Sequence, residues 1–487
     1  MWYTGLNRNL CMFNLDRFIA PLDVVAVATY LLALLQLLGV LLVVPALVSL
    51  ITGEFLYAMI FAGMAVGAYL VGALRVFFKR STLELKEAFV VTALAYLVFG
   101  LVGSLAFLPV GSFIDGFFEA MSGFTTTGLS VMESEELPAT LLFFRSYCQW
   151  IGGAGIMILS LAVLLTPGRS AFRLFTSEYG KENVVGSVTA TARVVTVVYL
   201  LLTVCGFFVF FFVGMTAWEA GLYIMATVST GGYSPHGDSA GHFAEPAVLT
   251  ALCLFMILGA VSFPLYHFAR SEGIRRFFHD LQLRWFIGIL VVATLLASQF
   301  YPGDFHAWFE NFFSFTSALT TTGFDLGDRS SASDTPSLII LFLMIIGGSA
   351  GSTAGGIKLI RLILFFRLAH WFVVRMLLPE ETVLPVKYRE LIISERELMQ
   401  LFAFFFIYLS LLFLSALLLV FLGFDIKNSL FESASALGTV GLSAGISSPD
   451  LALLGKLLLA FDMWAGRLEI LPVLVLLYPG TWRRWRI

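Results

Sequence analysis

The chain has 487 residues, of which 59% are hydrophobic and 13% charged, against roughly 25% charged for an average soluble domain. This excludes a water-soluble globule and describes a polytopic membrane protein with lipid as its surroundings. The net charge is −3, and the basic residues lie in short clusters between apolar runs with no continuous basic face, which argues against a nucleic-acid partner.

A spanning helix needs about 20 mostly apolar residues. Ten runs qualify, near 25–51, 55–78, 87–109, 139–166, 189–214, 246–269, 284–301, 336–373, 398–424 and 451–479. Arg8, Asp16, Arg17 and Asp23 precede the first. That run is too long for a signal-peptide core and lacks a convincing cleavage site, so it is expected to remain as a helix. The first two runs form a hairpin. The other eight pair up, and inside each pair a shorter segment runs into a glycine motif: "DGFFEAMSGFTTTG" to Gly128, "EAGLYIMATVSTGG" to Gly232, "ENFFSFTSALTTTG" to Gly323 and "NSLFESASALGTVG" to Gly441. Asp115, Glu219, Glu310 and Asn428 share one position in this alignment, suited to capping the N-terminal end of a short helix. The glycines are 104, 91 and 118 residues apart, so a unit of about a hundred residues is used four times. The expected divisions are an N-terminal segment with an extra hairpin over 1–80, and pore repeats over 81–175, 176–280, 281–385 and 386–487.

The four cysteines, Cys11, Cys148, Cys205 and Cys253, are far apart and read as packing residues. His236 and His242 are close in sequence, but no cysteine or suitably spaced carboxylate completes a zinc set. They read as loop histidines.

Charge gives the orientation. The connections between units carry Arg75, Lys79, Arg80 and Lys86, then Arg169, Arg173, Lys181 and Arg193, then Arg270, Arg275, Arg276 and Arg284, then Arg361, Arg367, Arg375, Lys387, Arg389 and Arg396; the tail carries Arg483, Arg484 and Arg486. By the positive-inside rule these are cytoplasmic. The loops after the glycine motifs are acidic, with Glu133, Glu135 and Glu136, then Asp238 and Glu245, then Asp325 and Asp328. The motifs are therefore expected to enter from the outer face, with both termini inside.

Non-helical backbone at membrane depth is tolerated where it is buried in protein or lines a water-filled cavity. Four re-entrant segments meeting at one axis satisfy that condition. Each short helix then aims its carbonyl end at the centre, and the residues after it offer backbone carbonyls to a dehydrated cation. Any one segment alone reads equally as an interfacial helix ended by a glycine cap. Four in register read as the quarters of a cation filter.

Two further features stand out. Gly347 to Gly356, "GGSAGSTAGG", breaks the eighth run with Gly347, Gly348, Gly351, Gly355 and Gly356. A phosphate loop requires G-x-x-x-x-G-K-[ST], whereas Lys358 comes late and no hydroxyl follows it. Gly351-x-x-x-Gly355 also suits a close helix-packing site. Arg467 lies inside the last apolar run, where a charge costs at least about 2.5 kcal/mol. It must face water or protein, with Asp462 or a helix-end carbonyl as the candidate partner. Glu119 and Glu432, at equivalent short-helix positions, are the candidates for an ion-coupling carboxylate or, alternatively, hold the short helices in place. No His/Asp/Cys constellation and no serine beside a base suggests an enzyme.

The four motifs, together with "RSYCQWIGGAGIMIL" (Arg145 to Leu159), "IIGGSAGSTAGGIKLIR" (Ile345 to Arg361), "VKYRELIISERELMQ" (Val386 to Gln400) and "GRLEILPVLVLLYP" (Gly466 to Pro479), resemble the Trk/Ktr/HKT superfamily of potassium transporters, most of all its bacterial TrkH/TrkG type. The first hairpin resembles the TrkH type and is not expected of the shorter KtrB type. The resemblance implies an all-α protein with four pseudo-symmetric helix–pore-helix–helix repeats around one pore. It implies K+ as the transported ion, with no organic cofactor in this chain. Its filter carbonyls would belong to Thr126 and Thr127, Thr230 and Gly231, Thr321 and Thr322, and Thr439 and Val440, each pair preceding Gly128, Gly232, Gly323 or Gly441. None of the segments reads TVGYG, so discrimination between K+ and Na+ is expected to be graded. The resemblance further implies that the glycine-rich stretch is a loop obstructing the pore, that Arg467 points into the pore below the filter, and that Lys358 adds to this barrier or snorkels toward the cytoplasm. It implies a homodimer in the bacterial inner membrane, bound to cytosolic nucleotide-binding subunits of the TrkA type. Coupling of K+ to H+ or Na+ is the alternative mechanism.

Overall fold

The computed structural model describes residues 22–78, 84–164, 188–300, 305–327, 334–379, 385–388 and 391–482. Arg8, Cys11, Asp16, Arg17, Lys79, Arg80, Arg169, Arg173, Lys181, Asp328, Arg389, Arg483, Arg484 and Arg486 lie outside the described residues. The protein is an all-α polytopic membrane protein. Among the described residues the one sheet is a minimal antiparallel hairpin, Lys387–Tyr388 against Leu391–Ile392.

Among the described residues six helices are long and apolar enough to cross a membrane: Val24–Ile51, Phe55–Phe77, Lys86–Phe107, Ala192–Phe212, Leu281–Gln299 and Glu397–Phe421. The first two form the hairpin. Gly39 lies against the backbone of Ala65 and Tyr69, and Gly72 against that of Gln36, an approach that only small residues permit.

The other four apolar runs differ from straight apolar spans. Run 139–166 is one helix, Ala139–Leu164, but carries the buried polar residues Arg145 and Gln149. Run 246–269 bends by 89° between Pro246–Ala260 and Phe263–Ser271, where Pro264 can start a helix but cannot continue one. Run 336–373 breaks between Asp334–Ile346 and Leu359–Met376 at the glycine-rich stretch. Run 451–479 breaks after Leu453–Arg467 and restarts at Leu471–Leu477. Two of these breaks satisfy each other's backbone. Ser349 N and Thr353 N donate to the carbonyls of Ala260 (3.0 Å) and Gly259 (3.4 Å), and Phe263 N donates to Gly351 O (3.0 Å). Irregular backbone is thereby kept out of lipid.

Between the paired long segments lie four short helices, Phe113–Phe124, Ala217–Val228, Phe305–Leu319 and Ile426–Gly438. Two begin with capping boxes, Ser112 with Asp115 and Thr216 with Glu219. The capping expected of the equivalent positions does not extend to the other two. Asp425, not Asn428, caps the fourth helix through Lys427 N. Glu310 lies beyond the first turn of the third and pairs with His306 at 3.2 Å.

Candidate functional site

All four short helices end alike. The amide of the residue before each motif glycine returns to a carbonyl five residues earlier: Thr127 to Ser122 (2.9 Å), Gly231 to Ala226 (2.8 Å), Thr322 to Ser317 (2.9 Å) and Val440 to Ser435 (2.8 Å). The preceding amide returns three residues, from Thr126 to Gly123, Thr230 to Thr227, Thr321 to Ala318 and Thr439 to Ala436. This is a Schellman ending, whose turning residue is ordinarily glycine. Here it is threonine each time, at φ of 54°, 53°, 55° and 51° for Thr126, Thr230, Thr321 and Thr439. A β-branched residue in that region is strained, and such strain clusters at functional sites.

The consequence for the carbonyls follows from peptide geometry. In a trans peptide the N–H and C=O point opposite ways. Amides turned back into the helix end therefore turn the carbonyls of Thr126, Thr230, Thr321 and Thr439 away from it. Ser122 Oγ and Ser435 Oγ accept from Gly128 N and Gly441 N, each at 3.0 Å, which extends the pattern to the carbonyls of Thr127 and Val440.

The segments also meet in a closed order. A Cβ built on Gly128 would overlap the carbonyl oxygen of Gly231, one on Gly232 that of Thr322, one on Gly323 that of Val440, and one on Gly441 that of Thr127. First touches second, second touches third, third touches fourth, and fourth touches first. Four equivalent carbonyls, each preceding a motif glycine, thus lie in one ring. All four glycines have positive φ, at 93°, 76°, 85° and 97°.

The ring is braced from behind. Glu119 accepts from Ser130 Oγ (2.7 Å), Val131 N (2.8 Å) and Tyr233 OH (3.1 Å), and pairs with Arg145 at 3.3 Å. Glu432 accepts from Ser443 Oγ, Ala444 N and Ser447 N. At the same register of the second unit, Tyr223 OH donates to Ser239 O at 2.7 Å. Each of these side chains ties its short helix to the loop after the motif. Gln149 was not anticipated. Its Oε1 accepts from Tyr233 N (3.1 Å), which directs Nε2 to the ring carbonyl of Gly231 at 2.6 Å. Among the described residues the corresponding carbonyls of Thr127, Thr322 and Val440 accept no hydrogen bond.

The glycine-rich stretch is non-helical and packs against the same helix ends. Gly355 N donates to Thr321 Oγ1 (2.7 Å), Gly356 N to Gly438 O (3.1 Å), and Thr353 Oγ1 contacts the carbonyls of Val228 (3.0 Å) and Gly259 (2.9 Å). A Cβ on Gly355 would overlap Gly438 O and Thr439 Oγ1. Gly351 and Gly355 therefore lie in a loop and form no helix–helix packing motif. Gly347, Gly351 and Gly356 turn the loop at positive φ. Gly348 packs against Ala354 and Ala260.

Arg467 is buried and donates from Nη1 to Thr353 O (2.7 Å) and from Nη2 to Gly152 O (3.3 Å). Its candidate partner Asp462 instead accepts from Ser415 Oγ at 2.8 Å. Lys358, also buried, does not snorkel; its Nζ donates to the Ala354 carbonyl inside the same loop. Arg361, one turn further on, pairs with Glu469.

A family model described as TrkH, cation transport protein, matches residues 58–480. The chain belongs to the TrkH family. It is accordingly a transport protein and not an enzyme. Relatives of this TrkH-family chain include an uncharacterized cation transporter of Methanocaldococcus jannaschii, 31% identical over 451 residues, covering 91% of this chain and 93% of the relative. The Trk system potassium uptake protein TrkH of Escherichia coli K12 is 30% identical over 465 residues, covering 91% and 95%. The crystal structure of the potassium transporter TrkH from Vibrio parahaemolyticus matches with a TM-score of 0.85 at 29% identity, covering 95% of this chain and 100% of that one.

Proposed function

We propose that this TrkH-family chain carries K+ into the cell through the axis of the four-segment ring. The closed ring of short-helix C-termini, with amides turned back into the helix ends and carbonyls turned away from them, is the observation that carries this reading. The carbonyls of Thr126, Thr127, Thr230, Gly231, Thr321, Thr322, Thr439 and Val440 replace part of the ion's water shell, and the helix ends add partial negative charge. The hydroxyls of Thr126 and Thr439 are buried and bond to no protein group among the described residues, so they supply further oxygens. The membrane potential drives entry at about 2.3 kcal/mol per charge per 100 mV. Uptake of ⁸⁶Rb+ by a K+-uptake-deficient strain tests the reading, with expression of this chain expected to restore K+-inhibitable influx.

In this proposal 81–175, 176–280, 281–385 and 386–487 are four pore repeats, added to the N-terminal hairpin. The loop from Gly347 to Gly356 lies beneath the ring as a gate, with Arg467 and Lys358 as its fixed positive charges. The chain is a homodimer of the bacterial inner membrane, regulated by a cytosolic TrkA-type nucleotide-binding subunit, and K+ is its cargo. Both termini are cytoplasmic. Cysteine placed at exposed Glu136 is then expected to react with an impermeant maleimide added outside intact cells, and cysteine at exposed Ser271 only after the membrane is opened. The reverse pattern would invert the topology.

Glu119 and Glu432 serve loops that leave the ring, which favours a voltage-driven pore over coupling to H+ or Na+. Flux into liposomes at fixed potential is then expected to be insensitive to an imposed pH gradient. Gln149 polarises one ring carbonyl and makes the filter asymmetric. Gln149→Leu removes that bond while keeping volume, and is expected to shift the Rb+/Na+ flux ratio by about threefold or more, a small energy on the scale of one hydrogen bond. An unchanged ratio would confine Gln149 to a bracing role.

A further inference from the structure

His236 and His242 belong to the loop after the second ring segment, and the second short helix brings a carboxylate to them. Glu219 Oε1 is 3.0 Å from His236 Nε2 and 4.0 Å from His242 Nε2. The imidazoles stack with centroids 3.6 Å apart and planes 9° apart. One ligand atom from each of the three residues lies within 4.8 Å of the others. The sequence hid this set because Glu219 stands 17 residues before His236, and the chain turns through the ring segment between them.

The carboxylate is held for the purpose. Its other oxygen, Oε2, accepts from Thr216 N (2.9 Å) and Thr216 Oγ1 (2.7 Å), which leaves Oε1 presented to both rings. Orientation of a ligand from behind is the usual accompaniment of metal sites. The loop is tied down as well: His236 N donates to Ser234 Oγ (3.0 Å) and Gly241 N to Asp325 O (3.0 Å). His242 is 45% exposed, His236 29% and Glu219 16%. One side of the set is therefore open to an incoming ion and to a water as fourth ligand.

Two imidazole nitrogens and one carboxylate suit Zn2+, whereas Mg2+ and Ca2+ take oxygen ligands.

We propose that Glu219, His236 and His242 form a binding site for a divalent transition-metal ion of the Zn2+ class. The bound ion would join the N-terminal end of the second short helix to the loop leaving the ring. The proposal does not depend on which ion the ring carries.

The test is calorimetric titration of Zn2+ into the purified full-length chain in detergent, carried on an affinity tag without histidine. Saturable binding of one Zn2+ per chain is expected, unaffected by excess Mg2+, with affinity falling at least about tenfold in His236→Ala, His242→Ala and Glu219→Gln. His242→Ala is expected to unfold at the parent's temperature without Zn2+, while Zn2+ raises the midpoint of the parent alone. The proposal is overturned if the parent shows no saturable Zn2+ binding, or if any of the three variants retains the parent's affinity.

Discussion

Gly323→Ser is expected to abolish K+ uptake, with initial ⁸⁶Rb+ influx falling at least about tenfold, a loss that needs only about 1.4 kcal/mol. Two effects combine to exceed that. Gly323 has φ of 85°, a conformation costing an L-residue about 1–2 kcal/mol. The added Cβ would also overlap the Val440 carbonyl oxygen, one of the four in the ring, so the oxygen must leave its place or the segment must move. Gly128, Gly232 and Gly441 are in the same position relative to their neighbours, and serine at each is expected to act in the same sense. Gly288 is the control: it lies in the helix Leu281–Phe300, and a Cβ there meets nothing within 4 Å. Gly288→Ala is expected to transport normally. Normal influx in all four serine variants would remove the ring from the mechanism.

The second large effect concerns the glycine-rich loop proposed as the gate, which packs against the short-helix ends. Arg467→Ala removes the guanidinium that donates to Thr353 O, and Thr353→Val removes the hydroxyl that ties the loop to Val228 O and Gly259 O. Each is expected to raise Rb+ flux into liposomes about threefold or more at matched reconstitution. Loss of the charge matters most, because a cation that has shed water interacts with it far more strongly in a low-dielectric pore than in bulk. Since both act on one barrier and Thr353 and Arg467 are in contact, the double variant is expected to fall short of the product of the single effects. Lower flux in folded protein would make the loop a fixed wall that supports the ring.

The contrast between these two sites reflects what a sequence can display. The four ring segments were legible because the same short pattern recurs at one register, and the shared threonine two places before each glycine is visible in the alignment. That this threonine would hold a left-handed turn was not legible, since β-branched residues avoid it and only the packing of four segments enforces it. Six of the ten apolar runs coincide with helices among the described residues that are long and apolar enough to cross a membrane, but the breaks in three of the others were not all foreseeable. The stretch at Gly347 to Gly356 announces itself by composition, whereas at the 89° bend at Ala260–Phe263 the only local signal is Pro264, and the freed backbone groups find their partners in that distant loop. Gln149 and Gly231 are 82 residues apart and Arg467 and Thr353 are 114 apart. Their partnerships come from tertiary proximity and leave no local signal. Asp462 near Arg467 in sequence was a natural partner by spacing, yet the helix turns it to Ser415 instead.

The central claim is that a dehydrated cation sits within the ring of the Thr127, Gly231, Thr322 and Val440 carbonyls. Crystals of the full-length protein grown in Rb+ and measured at the rubidium absorption edge test it directly. An anomalous peak on the axis, within coordination distance of those four oxygens and lost when Na+ replaces Rb+, is the expected result. No peak inside the ring, in protein that transports Rb+ in liposomes, would contradict the account and place the ion path elsewhere.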